Sequence, residues 1–100
     1  MTVLVKPEAY ADLASAFEWY QAIQPELAQR FAAEFDQVLD DLEHFPFRYP
    51  PGYHQFRRAR LINFPYYLFY RLDAGRLVVI SLIHSSRDPR AIRRTLRRRG

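Results

Sequence analysis

The apolar pattern changes period across residues 46–52, and this switch limits the possible folds more than any other feature. Before it, Leu27, Phe31, Phe35, Val38, Leu42 and Phe45 recur at spacings of three and four, which marks one face of a helix. After it, the chain is aromatic and β-branched from Phe56 to Leu72, divided by Pro65, and then nearly continuously apolar from Leu77 to Ile83. Pro46, Pro50, Pro51 and Gly52 stand at the joint, where no regular element continues. Helices followed by strands specify an α+β arrangement.

Val3 to Val5 reads as a short strand. Pro7 suits the first turn of a helix, where its missing N–H costs nothing, and Glu8 and Asp12 favour the positive end. Tyr10, Leu13, Ala14, Phe17 and Tyr20 form one apolar face, and Pro25 restarts the pattern after a short Gln24-Pro25 joint, as in an antiparallel helical hairpin. Asp36, Asp40, Asp41 and Glu43 lie off the second stripe and should face water.

Asp73-Ala74-Gly75 is a tight-turn sequence, so residues 66–72 and 77–83 are expected to pair as a hairpin. A strand apolar at both parities is covered on both faces, or on one face by the fold and on the other by a partner. Asp88-Pro89 opens a possible short C-terminal helix, with Ile92 and Leu96 as its docking edge. Arg90, Arg93, Arg94, Arg97, Arg98 and Arg99 repel one another there, so its last turn should fray. The expected order is β-α-α-β-β-β, with the helical hairpin packed on a largely antiparallel sheet. The 100 residues should form a single domain.

Several functional classes fall away on composition. There is no cysteine, which excludes disulfides, thiolate metal sites and cysteine nucleophiles and fits a reducing cytosol. The apolar run at the amino terminus is too short for a signal peptide, and no stretch approaches the roughly 18 apolar residues of a membrane span. A cytoplasmic protein with no membrane partner is expected. No His/Asp/Glu cluster has metal-ligand spacing and no glycine-rich phosphate loop is present, so neither a metal, a cofactor nor a small-molecule substrate is indicated.

Charge is sorted along the chain. Residues 1–50 hold three basic side chains against nine acidic ones, whereas residues 51–100 hold twelve arginines against Asp73 and Asp88. Arginine grips phosphate or carboxylate with a rigid five-donor fork, so such a surface suits a polyanion or an acidic protein. Arg57, Arg58 and Arg60 sit inside a strand-like segment. Arg58 and Arg60 alternate and should share a face, which Arg71 and Arg87 join if the strands pair as read. Edge-strand charges also deter aggregation, but three within four residues exceed that need. Tyr66, Tyr67, Phe69 and Tyr70 either pack the core or stack on bases.

The chain also resembles a known family. Val-Lys-Pro-Glu-Ala-Tyr-Ala-Asp-Leu at 5–13, Trp19-Tyr20 and Leu27-Ala28-Gln29-Arg30-Phe31 are similar to the opening of the RelE/ParE toxins of type II toxin–antitoxin systems. Arg58-Ala59-Arg60-Leu61, Phe64-Pro65-Tyr66, Phe69-Tyr70-Arg71 and Ile83-His84-Ser85-Ser86-Arg87-Asp88-Pro89 follow in the family order. The resemblance implies the same element order and a cytoplasmic toxin neutralised by a cognate antitoxin. RelE-like members cut mRNA in the ribosomal A site, and ParE-like members poison DNA gyrase.

The residues weigh on that choice. RNA cleavage through the 2′-hydroxyl needs a base, an acid and cations around the phosphorane. Arg58, Arg60 and Arg87 supply cations, but His84 is the only histidine at the end of a core strand, since His44 and His54 lie elsewhere. His84 either transfers a proton or braces the turn to Asp88, whose expected task is helix capping. The stretch from Pro89 to Leu96 lacks the further tyrosine, histidine or lysine usual in the active RelE-like members this chain resembles. The preferred reading is a ParE-like toxin, a binding protein that poisons gyrase and meets an acidic antitoxin or its target through Arg57, Arg58, Arg60, Arg71 and Arg87, with enzymatic activity left open. A RelE-like endonuclease acting on ribosome and mRNA, and an antitoxin-bound relic without toxicity, are the alternatives.

Overall fold

The computed structural model describes residues 1–100. Its elements run β1 (Thr2–Val5), α1 (Pro7–Ile23), α2 (Pro25–His44), β2 (Arg57–Arg60), β3 (Tyr66–Asp73), β4 (Arg76–His84) and α3 (Pro89–Arg99). The four strands form one mixed sheet in the order β1-β4-β3-β2. β1 runs parallel to β4, and the other two pairings are antiparallel. The expected α+β order and helical hairpin are both present. No helix is long and apolar enough to cross a membrane.

Local chemistry explains the boundaries. Pro7, Pro25 and Pro89 each open a helix, where an N–H would have had no partner. Ala74 and Gly75 both have positive φ, 50° and 80°, which makes a two-residue turn of the mirror-image class that matches strand twist. Tyr66 thereby pairs with His84 and Asp73 with Arg76, and the register slips once, between Phe69 and Tyr70.

Each face of the sheet is covered. On one, α1 and α2 bring Ala9, Ala16, Phe31, Phe35 and Leu42 onto Leu68, Tyr70, Leu77, Val79 and Leu82. Tyr20, Phe31, Phe64 and Tyr66 meet there at ring separations of 5.0–6.5 Å, mostly tilted or edge-on. On the other, Leu96 and Ile92 of α3 and Phe56 and Tyr53 of the α2–β2 loop cover Phe69, Val78, Ile80 and Ile83. This double cover accounts for the unbroken apolar run of β4.

Three expectations need correction. The face of α1 is rotated: Ala9 and Ala16 are buried, whereas Tyr10 and Ala14 are exposed. Small residues let α1 approach the sheet closely, and the large ring of Tyr10 turns outward. Phe45 is 59% exposed because α2 ends at His44 and the chain leaves the core. The last turn of α3 does not fray. Arg99 is bound to Asp12, Lys6 Nζ donates to the Arg99 carbonyl, and Leu96 is fully buried. These anchors outweigh the mutual repulsion of the other arginines of α3, which are exposed.

Candidate functional site

Pairing of β2 with β3 decides where the arginines go. Arg58 lies opposite Phe69 and Arg60 opposite Tyr67, so both share the α3 side of the sheet. Both approach Tyr67, whose ring centroid lies 4.5 Å from the Arg58 guanidinium carbon and 5.7 Å from that of Arg60. Stacking on a ring fixes the plane of a guanidinium while leaving its N–H edges free for an anion.

Arg58 also forms one wall of a groove of about 700 Å³. Its floor is apolar, from Phe56, Phe69, Ile92 and Leu96, and the loop Tyr49-Pro50-Pro51-Gly52-Tyr53 forms a second wall. Arg87 and Arg93 complete the rim. No carboxylate or imidazole lines it, and its groups with a transferable proton are Tyr49, Tyr53, Tyr67 and Ser85. The cations therefore stand over a largely apolar surface with no counter-charge between them, an arrangement suited to holding an anionic, partly apolar chain.

The expected site residues do not all converge here. Arg58 and Arg87 share the groove, and Arg60 flanks it through Tyr67. Arg57 pairs with Tyr70 and so lies on the opposite face, where Nη1 donates to the Tyr49 carbonyl at 2.5 Å and the guanidinium sits 5.3 Å from the Phe47 ring. Arg71 is on the α3 side, but it is tied to Asp73 at 3.1 Å with its side chain only 18% exposed.

His84 is turned away from the arginines. It pairs with Tyr66, whose ring lies 5.2 Å away on the hairpin face, one residue out of phase with Tyr67 and Ile83. Its Nδ1 accepts from the Ser86 backbone N–H at 3.1 Å and contacts Ser86 Oγ at 2.7 Å, so the imidazole ties down the turn after β4. Asp88 caps α3: its Oδ1 accepts from the Arg90 N–H at 2.9 Å. That bond, helped by a second from the Arg90 side chain, holds the Asp88 carboxyl below the usual aspartate range. Tyr70 donates to the Pro46 carbonyl at 3.0 Å, and burial pushes its phenol pKa up.

The sequence reading missed the wall formed by residues 49–53. The alternation of tyrosine with proline and glycine in that loop was the available signal, since rigid loops that expose aromatic rings commonly make binding surfaces.

The small mixed sheet thus carries a helical hairpin on one face and a basic groove on the other. The family model of the ParE toxin of type II toxin–antitoxin systems matches residues 3–89, and the chain belongs to that family. Among solved structures, it is similar to a chain of the chromosomal ParDE toxin–antitoxin system from P. aeruginosa. The TM-score is 0.75 at 17% identity, over 84% of this chain and 95% of that one, a likeness of fold. No curated protein matches the chain in sequence.

Proposed function

We propose that this ParE-like toxin acts by binding, that its cytoplasmic target is DNA gyrase, and that residues 1–100 work as one unit neutralised by a small acidic antitoxin. The observation that carries this reading is the separation of His84 from Arg58 and Arg87. A ribonuclease would need proton transfer beside its phosphate-binding cations, and the one strand-end imidazole lies on the opposite sheet face, bonded to Ser86. What remains beside the guanidinium groups is a groove with hydroxyls but neither carboxylate nor imidazole, which suits recognition of a surface better than proton transfer.

The same groove supports the antitoxin. An extended acidic and amphipathic segment could lay apolar side chains against Phe56, Phe69 and Ile92 while its carboxylates meet Arg58, Arg87 and Arg93. Such association is steered electrostatically, so its on-rate should fall as salt rises.

Inducible expression tests the target. Gyrase poisoning predicts growth arrest with filamentous cells and an induced DNA-damage response while protein synthesis continues at first. Immediate loss of protein synthesis with cut mRNA would establish the ribosome as target. Unimpaired growth with folded protein present would make the chain a relic.

A further inference from the structure

Helix α3 lies on the sheet, and apart from Arg93 at the groove rim its outer surface has no part in the groove or the core. Arg90, Arg93, Arg94, Arg97 and Arg98 are all exposed, while Leu96 and Thr95 are buried and Ile92 and Arg99 partly so. At about 100° per residue these five arginines fall within an arc of roughly 140°, opposite the buried side. The stripe contains no acidic residue. Arg90 pairs with Asp88 at the helix start and Arg97 reaches the Tyr53 hydroxyl at 3.0 Å, but no ion pair of the chain engages Arg93, Arg94 or Arg98. Like charges at helical spacing oppose helix formation. Here they are held in place by Leu96, the Asp88 cap and the Asp12–Arg99 pair, at the C-terminal side of the residues matched by the family model.

We infer that the arginine stripe of α3 docks on the sugar–phosphate backbone of duplex DNA. Protein hot spots combine aromatic anchors with arginine in desolvated pockets, and this face offers exposed arginine alone. Backbone binding to nucleic acid needs only cations that displace condensed counterions. A bilayer would take the apolar side of an amphipathic helix, which is already spent on the core. Single-stranded RNA is held by stacking on exposed rings, and the stripe has no aromatic residue. From Arg90 to Arg98 the helix spans about 12 Å, close to the width of the B-DNA major groove, so the two ends reach phosphates on opposite strands. The deep, narrow major groove of duplex RNA does not admit such a helix.

The test is fluorescence anisotropy with the full chain, a labelled 20-base-pair DNA duplex and a potassium chloride series. Five phosphate contacts give a log–log salt slope of about −4.5, so affinity should fall on the order of 500-fold between 50 and 200 mM salt. Arg93→Gln, Arg94→Gln and Arg98→Gln together should bring the slope to about −1.8, and the three arginine-to-lysine changes should leave it near the parent value. These side chains are exposed, so thermal melting should be unchanged or improved. An unchanged slope in the folded glutamine variant would overturn the proposal, and so would lack of binding by the parent protein. Competition by polyglutamate, single-stranded RNA or duplex RNA as effective as by the DNA duplex would also overturn it, assigning the stripe to an acidic protein or to RNA.

Discussion

Asp12 and Arg99, 87 positions apart, form a two-point ion pair, with Nη1–Oδ2 at 2.6 Å and Nη2–Oδ1 at 3.2 Å. Their side chains are only 20% and 17% exposed. Asp12 Oδ2 also accepts from the Leu82 N–H at 3.0 Å, and Arg99 Nη1 lies 3.4 Å from the Ile80 carbonyl. β1 pairs with β4 only as far as Val79, so this pair occupies backbone groups of β4 just beyond the reach of β1. It joins α1, β4 and α3 at one point.

Replacing Asp12 by Asn should therefore cost about 1.5–3 kcal/mol, the range for a hydrogen bond to a charged group in a sheltered place. The loss should appear as a lower melting temperature and as faster tryptic cleavage among Arg97, Arg98 and Arg99. A variant with the parent's melting temperature and cleavage rate would show that α3 is held by Leu96 and Ile92 alone.

Two positions in one stripe should behave oppositely. Leu42 is 1% exposed and Phe45 59% exposed. Leu42→Ala should destabilise by about 2–5 kcal/mol through lost burial and a cavity, whereas Phe45→Ala should change stability by no more than about 0.5 kcal/mol. Chemical denaturation of the two variants checks this, and equal effects would count against the position found for the end of α2.

At the β3–β4 turn, Ala74 holds a left-handed conformation that asparagine tolerates better. Ala74→Asn creates Asn-Gly, the favoured pair for this turn, and should stabilise the protein by about 0.5–1 kcal/mol. Thermal melting reads the result, and a lower melting temperature would contradict the turn geometry.

The Asp88 carboxyl has a folded pKa below its unfolded one, chiefly through the bond from the Arg90 N–H. Its contribution is thus complete above the ordinary aspartate pKa and is lost as pH falls through the depressed folded value. Asp88→Asn keeps a capping oxygen but cannot ionise. The difference in stability between parent and variant should shrink on acidification through that window, and a pH-independent difference would show that the charge is not involved.

The sequence disclosed most of the secondary structure, because periodicity and proline placement are local signals. Leu27 to Leu42 recur at helical spacing, and Asp73-Ala74-Gly75 is a tight-turn sequence. The α1 face was misread because Ala9 and Ala16, which make the close contact, carry little hydrophobic weight beside Tyr10. The ordered end of α3 was hidden because its anchors, Asp12 and Lys6, lie far away in sequence. Alternation placed Arg58 with Arg60, and strand pairing was needed to show Arg57 on the other face, Arg71 tied to Asp73 and His84 pointing away. The groove depends on residues 49–53 folding back near Arg58, which no local pattern specifies.

The central claim, a toxin that binds gyrase and performs no bond-breaking step of its own, is tested most directly in a supercoiling assay with purified gyrase and relaxed plasmid. Parent protein and His84→Gln, matched for folding, should both inhibit supercoiling, because glutamine can retain a hydrogen bond to Ser86 and no proton transfer is required. Normal supercoiling in the presence of the parent would contradict the account. The contradiction would be complete if the parent cut ribosome-bound mRNA and His84→Gln lowered that cleavage by roughly 10²–10⁴-fold.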